Sequence, residues 1–145
     1  MVHVRFTAVL LSENSYNRPE RDKIQKEKEQ ELAENKRETG RRYEQMAAAF
    51  LEQQGYEILE MNYQGKYGEI DLIARHGKVL VFAEVKYRKT LRLGYPEEAV
   101  GPKKQKRIYH TARYYLYSHG LTDVPCRFDV VSILGTRIRL IQNAF

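Results

Sequence analysis

One cysteine, Cys126, stands in 145 residues, so no disulfide closes within the chain, and a reducing compartment suits it. Cys126 begins an apparent strand, where a buried or half-buried thiol is expected rather than a nucleophile. No apolar run approaches the roughly 18 residues that a membrane-spanning helix needs. The stretch 6–11 is too short for a signal peptide and runs straight into Ser12, Glu13 and Asn14. A cytoplasmic location without a membrane partner is therefore the expectation. The sequence also lacks a glycine-rich phosphate loop, a Cys/His metal set and a Ser/His/Asp arrangement in helpful context, and His110 and His119 have no partners at metal-ligand spacing.

What is present is basic charge, unevenly spread. The net charge is +6, with a pI near 9.4. Residues 1–39 carry eight Lys/Arg against eight Asp/Glu, so the whole excess belongs to 40–145. The stretch 18–38 is almost continuously charged, with Ile24, Leu32 and Ala33 as its few apolar members. It has too little to bury for a core, and it reads as a charged extension, helical or disordered. Gly40 marks a boundary, and one domain is expected over 40–145. Between Lys86 and Arg113 nine basic residues meet two acids, Glu97 and Glu98. Such a concentration fits the phosphates of a nucleic acid.

The remaining pattern is that of an α/β domain. Tyr43, Met46, Ala47, Phe50 and Leu51 share one face of a helix over 41–54, with Glu44 beside that face. A strand follows over 56–63, then a hairpin over 67–88, reading YGEIDLIARHGKVLVFAEVKYR. A long helix starts at Lys103 and stops near Gly120, with Ile108, Ala112, Tyr115 and Leu116 towards the sheet. Two closing strands, 126–133 and 137–142, read as sheet edges packed on that helix.

Within the hairpin the apolar strands carry Asp71, Glu84 and Lys86. A two-residue loop at 76–77 sets Asp71 opposite Phe82, and one at 77–78 sets it opposite Glu84. Either register brings both carboxylates to one face, about 5–8 Å apart, with Lys86 on the same side of its strand. Adjacent carboxylates repel unless a cation lies between them, and Mg²⁺ or Mn²⁺, with oxygen ligands and retained waters, is the natural occupant. Lys86 is then placed to hold an attacking water or to meet charge developing on a phosphate. The plainer alternative is a surface ion-pair ladder. Glu69 shares the face of Asp71 one pleat further away and ranks after Asp71 and Glu84.

An acid, a dozen residues, then Glu-x-Lys is similar to the metal-dependent nuclease pattern PD…(D/E)xK of the restriction-endonuclease-like superfamily. GEIDLI at 68–73 with VFAEVKYR at 81–88 resembles the bacterial YraN-like family more specifically. GRRYE at 40–44, Gly55-Tyr56, RFDVV at 127–131 and the closing Asn143-Ala144-Phe145 add to the likeness, which covers about 40–145. The residue before Asp71 is Ile70, not the proline of the motif's name. The resemblance implies a three-layer core, a mixed sheet of about five strands in the order α-β-β-β-α-β-β, and a metal site. It also implies that Glu44, on the first helix, reaches the metal directly or through water.

The reading is a metal-dependent nuclease, with DNA placed ahead of RNA as partner. Asp71 and Glu84 bind the ion, Glu44 assists, and Lys86 serves the reaction. Arg88, Lys89, Arg92, Lys103, Lys104, Lys106 and Arg107 hold the backbone. Cutting both strands of a duplex would suit a symmetric homodimer. Two other readings stand beside it: a non-catalytic nucleic-acid-binding module of the same fold, and an accessory protein whose charged arm docks a partner.

Overall fold

The computed structural model describes residues 18–145; the short apolar stretch 6–11 lies outside them. Helix α1 (Arg18–Gln53) is followed by strands β1 (Glu57–Gly65), β2 (Gly68–His76) and β3 (Val79–Arg88). Helix α2 (Pro102–Ser118) and strands β4 (Cys126–Leu134) and β5 (Arg137–Ile141) complete the chain, with a short 3₁₀ turn at Pro96–Ala99. The strands form one sheet in the order β1-β2-β3-β4-β5. β3 and β4 pair in parallel and the other neighbours antiparallel, so the sheet is mixed. The expected α/β architecture, with its five strands and its order of elements, is the one observed.

The chain divides between Glu38 and Thr39 into two units. Within the first, residues 18–38 are helical and exposed throughout. Nothing in that stretch offers an apolar stripe, so charge pairing and local bonds such as Gln25 Nε2 to Glu29 Oε1 (2.7 Å) support the helix. Gly40 does not end it: the helix passes through to Gln53. One glycine costs only about 1 kcal/mol in a helix interior, less than good helix formers on both sides provide.

In the second unit the sheet is covered on both faces. Tyr43, Ala47, Ala48, Phe50 and Leu51 of α1 pack on Leu72, Ala74, Val81, Ala83, Val131 and Ile133. Ile108, Ala112 and Tyr115 of α2 pack on Ile73, Leu80, Phe82 and Val130. Alternation along β3 sends Val81 and Ala83 to one helix and Leu80 and Phe82 to the other. A strand buried on both sides needs a near-continuous apolar run, which 79–85 supplies except at Glu84. Parallel pairing of β3 with β4 requires a long crossover, and α2 lies within it. β4 is accordingly an inner strand, and of the two closing strands β5 alone is an edge, with β1 the edge on the opposite side.

The far end of the sheet is held by a buried polar network. Asp129 is fully buried and takes bonds from Arg127 Nε (2.8 Å) and from the Asn143 backbone N–H (2.9 Å). Arg127 also donates to the Tyr56 hydroxyl (2.7 Å), which receives Gln142 Nε2 at 2.8 Å. Thus β4, the start of β1 and the closing residues are tied to one carboxylate. Cys126, expected to be buried or half-buried, is exposed, because it precedes the covered part of β4; its thiol donates to the Val124 carbonyl (3.2 Å).

Removing one partner of a buried ion pair strands the other charge. Asp129→Ala is therefore expected to destabilise the protein by about 3–5 kcal/mol. Denaturant unfolding checks this, and a loss below about 1 kcal/mol would mean that water satisfies Arg127 and Asn143 instead.

Candidate metal centre

The β2–β3 ladder runs from His76↔Val79 to Leu72↔Ala83, the register of a Gly77-Lys78 loop. Gly77 takes a φ of 62°, which suits glycine at such a turn. Just beyond that ladder the Val85 backbone N–H donates to Asp71 Oδ2 (2.8 Å). On the other side of β2, the ladder with β1 passes from Met61↔Leu72 to Tyr63↔Ile70, and Asn62 between them has a φ of 54°. Asparagine tolerates this left-handed conformation better than most residues. Strict alternation slips here too, since Ile70 packs with Ile73 and Phe82 on the α2 side. Asp71 thus falls opposite Asn62 in the β1–β2 register and just past the end of the β2–β3 ladder.

Carboxylate oxygens of Glu44, Glu69 and Asp71 lie within 4.8 Å of one another. Glu44 comes from α1, one residue after Tyr43, whose ring stacks on Tyr87 of β3 at 3.6 Å. Glu84 is 2% exposed. Its Oε1 meets Lys86 Nζ at 2.8 Å and Lys104 Nζ at 3.0 Å, while its Oε2 is buried without a hydrogen-bond partner. Glu44 Oε2 is buried and unpartnered as well.

Burial, and next the Glu84 charge, push the Asp71 carboxyl up to about 7; the Val85 hydrogen bond and the Lys104 charge work the other way. Glu44 is also raised, first by burial and then by Glu69 and Glu84, against a hydrogen bond from Asn62. A site that holds protons so tightly is short of positive charge. All its free donors are carboxylate oxygens, the ligand type of hard divalent cations. The residues present therefore fit Mg²⁺ or Mn²⁺.

Asp71, Glu84, Lys86 and Glu44 thus lie in one region, with Glu69 closer to Asp71 and Glu44 than its rank implied. Of the cations expected to hold a backbone, Lys89, Arg92, Lys103, Lys106 and Arg107 are exposed. Arg88 is half-buried and donates to the Gly94 carbonyl (3.1 Å), bracing its own loop. Lys104 turns inward to Glu84. Sequence reasoning missed that inward turn, and it missed Asn62. No spacing rule connects position 104 with 84, and only the α2 crossover does so.

An α/β domain with a two-sided mixed sheet and a partly buried carboxylate cluster flanked by lysines is the class that this geometry defines. Residues 43–133 match the model of the uncharacterised protein family UPF0102, and the chain belongs to that family. A UPF0102 protein of Lachnoclostridium phytofermentans is 52% identical over 112 residues, 77% of this chain and 95% of the relative. One from Syntrophus aciditrophicus is 50% identical over 74% of this chain and 87% of its own length. One from Fusobacterium nucleatum subsp. nucleatum is 46% identical over 75% and 92%. Among the described residues no helix is long and apolar enough to cross a membrane.

The raised Asp71 carboxyl has a measurable consequence. The folded protein keeps that proton to about pH 7, whereas an unfolded aspartate loses it near pH 4. Across that window the unfolded state binds fewer protons, so stability in metal-free buffer is expected to fall as pH rises, by up to about 4 kcal/mol, and then to level off. Asp71→Asn still accepts from Val85 and cannot ionise, so it is expected to flatten the slope and to exceed wild type above about pH 7. Thermal unfolding from about pH 5 to about pH 8 checks this; equal slopes for the two proteins would place the titration elsewhere.

Proposed function

We propose that this protein is a metal-dependent phosphodiesterase acting on nucleic acid, with DNA the first substrate to try. One observation carries the reading: the buried oxygens of Glu84 and Glu44 are unpartnered beside Asp71, whereas the other buried carboxylate of the sheet, Asp129, is hydrogen-bonded. An unanswered buried carboxylate oxygen is costly, and a divalent cation is the group that would answer it.

Asp71 and Glu84 would hold the ion, with Glu44 and Glu69 as further oxygen donors. When bound, Mg²⁺ or Mn²⁺ supplies Lewis acidity towards a phosphate oxygen and makes a bound water easier to deprotonate. The Lys86 ammonium, 29% exposed, faces both Glu84 and solvent. It would orient the attacking water or stabilise charge growing on the phosphate. Lys104 would hold Glu84 in place. The exposed Lys89, Arg92, Lys103, Lys106 and Arg107 would neutralise backbone phosphates, and binding would weaken with salt accordingly. A symmetric pair of chains would present two such sites to the two strands of a duplex.

A second reading has one observation in its favour. Lys86 and Lys104 both close on Glu84, which neutralises that carboxylate without a metal. Such an arrangement suits a binding module that does not cut.

Cleavage of labelled single strands, duplexes, flaps and four-way junctions, with Mg²⁺ and with Mn²⁺, tests both. Wild type is expected to cut, and Asp71→Asn, Glu84→Gln and Lys86→Ala are each expected to lose at least about 100-fold in rate. Cutting that survives the two acid substitutions would sink the nuclease reading. Salt-sensitive binding with no cutting by wild type would favour the binding module.

A further inference from the structure

A cleft of about 400 Å³ opens between the β1–β2 turn and α2, lined by Lys66, Tyr67, His110, Arg113, Tyr114 and Tyr117. Tyrosines on a helix normally turn their rings to the core, as Tyr115 does at 6% exposure. Here Tyr67 is 52% exposed, Tyr114 38% and Tyr117 85%. Lys66 Nζ lies 5.7 Å from the centre of the Tyr67 ring, and the His110 ring is 5.7 Å from the same ring. The lining contains two permanent cations and no acid, so it calls for an anion that also offers flat faces.

The cleft is preformed by close backbone packing. A Cβ on Gly65 would come within 2.8 Å of Thr111 Cγ2, and one on Gly68 within 3.9 Å of Arg107 Cβ. The turn is thus seated directly on α2. A stripe of helix positions leads from the cleft towards the charged centre. Lys103, Arg107, His110, Tyr114 and Tyr117 follow one another at steps of four and three, a single stripe along α2. Lys104, beside Lys103 in the first turn of α2, contacts Glu84. Ten residues of helix separate Lys104 from Tyr114, roughly 15 Å, or about four stacked nucleotide steps of ~3.4 Å.

Bases inside a duplex have no face left to offer, whereas unpaired bases stack on aromatic rings while their phosphates meet lysine and arginine. We propose that this cleft takes the unpaired nucleotides of a single-stranded stretch, so that the substrate carries a single strand about four nucleotides from the scissile bond. This rests on the nuclease reading, whose carboxylates set where that bond lies.

The test is binding by the full chain in metal-free buffer, where nothing is cut, read as fluorescence anisotropy. The probes are a single-stranded oligonucleotide, an abasic strand of equal charge, and a blunt duplex. Wild type is expected to prefer the base-bearing strand to the abasic one by about ten- to hundred-fold. The double substitution Tyr67→Ala/Tyr117→Ala is expected to abolish that preference, and the Tyr→Phe pair to retain it. Both side chains are exposed, so folding is expected to persist, and circular dichroism confirms it. Equal affinity for base-bearing and abasic strands, or a preference unmoved by the alanine pair, overturns the proposal. Ribose and deoxyribose probes of one sequence identify the sugar, and tyrosine dependence with either supports the cleft. Tyrosine-dependent binding with no cutting by wild type overturns the nuclease reading alone. Cutting by wild type with base-bearing and abasic strands bound alike overturns the cleft alone.

Discussion

A carboxylate in the middle of a strand that is covered on both faces must be answered by charge, and Glu84 is such a carboxylate. Moving an ionised group out of water costs several kcal/mol unless close partners repay it. One repayment comes from Lys86, two residues along the same strand, and another from Lys104, on the helix that crosses the sheet. Only one of the two carboxylate oxygens is served in this way. Burial, and after it the half-answered Glu84, raises the proton affinity of Asp71, and with Glu44 and Glu69 beside them the two leave a region in want of a further positive charge.

Helix α2 meets two demands at once. Placing β4 parallel to β3 obliges the chain to travel the length of the sheet before it pairs. The inner face of the travelling helix covers Phe82 and Val130, which completes the core on that side. Its outer face carries the basic and aromatic stripe. Its first turn delivers Lys104 to the carboxylates. Core, counter-charge and outer surface therefore depend on the same 17 residues.

Much of this was readable beforehand because local periodicity and local chemistry agreed. The hairpin turn at Gly77, the apolar runs beside it and the acids embedded in them restricted the register to two choices, and the structure takes the one that sets positions 71 and 84 in line. Element order followed for the same reason. What escaped were effects that periodicity does not encode. Gly40 marks a boundary that falls beside the division at Glu38/Thr39, but the unbroken helix across it escaped, because helix-forming residues around it outweigh a single weak position. Cys126 looked covered because it opens an apolar strand, and the first residue of a strand lies at the margin of its sheet. Asn62 and the slip at Ile70 depend on how three strands and a helix meet, and Lys104 depends on a crossover whose geometry a linear pattern does not contain.

The pairing scheme also imposes an order of assembly. β1, β2 and β3 are joined by tight turns, so their contacts are near in sequence and cheap in loop entropy. The β3–β4 pairing joins positions such as Leu80 and Cys126, and it waits on closure of a far longer loop. The acids of β2 and β3 are therefore gathered before α2 arrives with Lys104. For part of its folding the chain carries a concentrated negative patch with an incomplete set of counter-charges. Ions that screen such a patch are expected to ease the route to the fold.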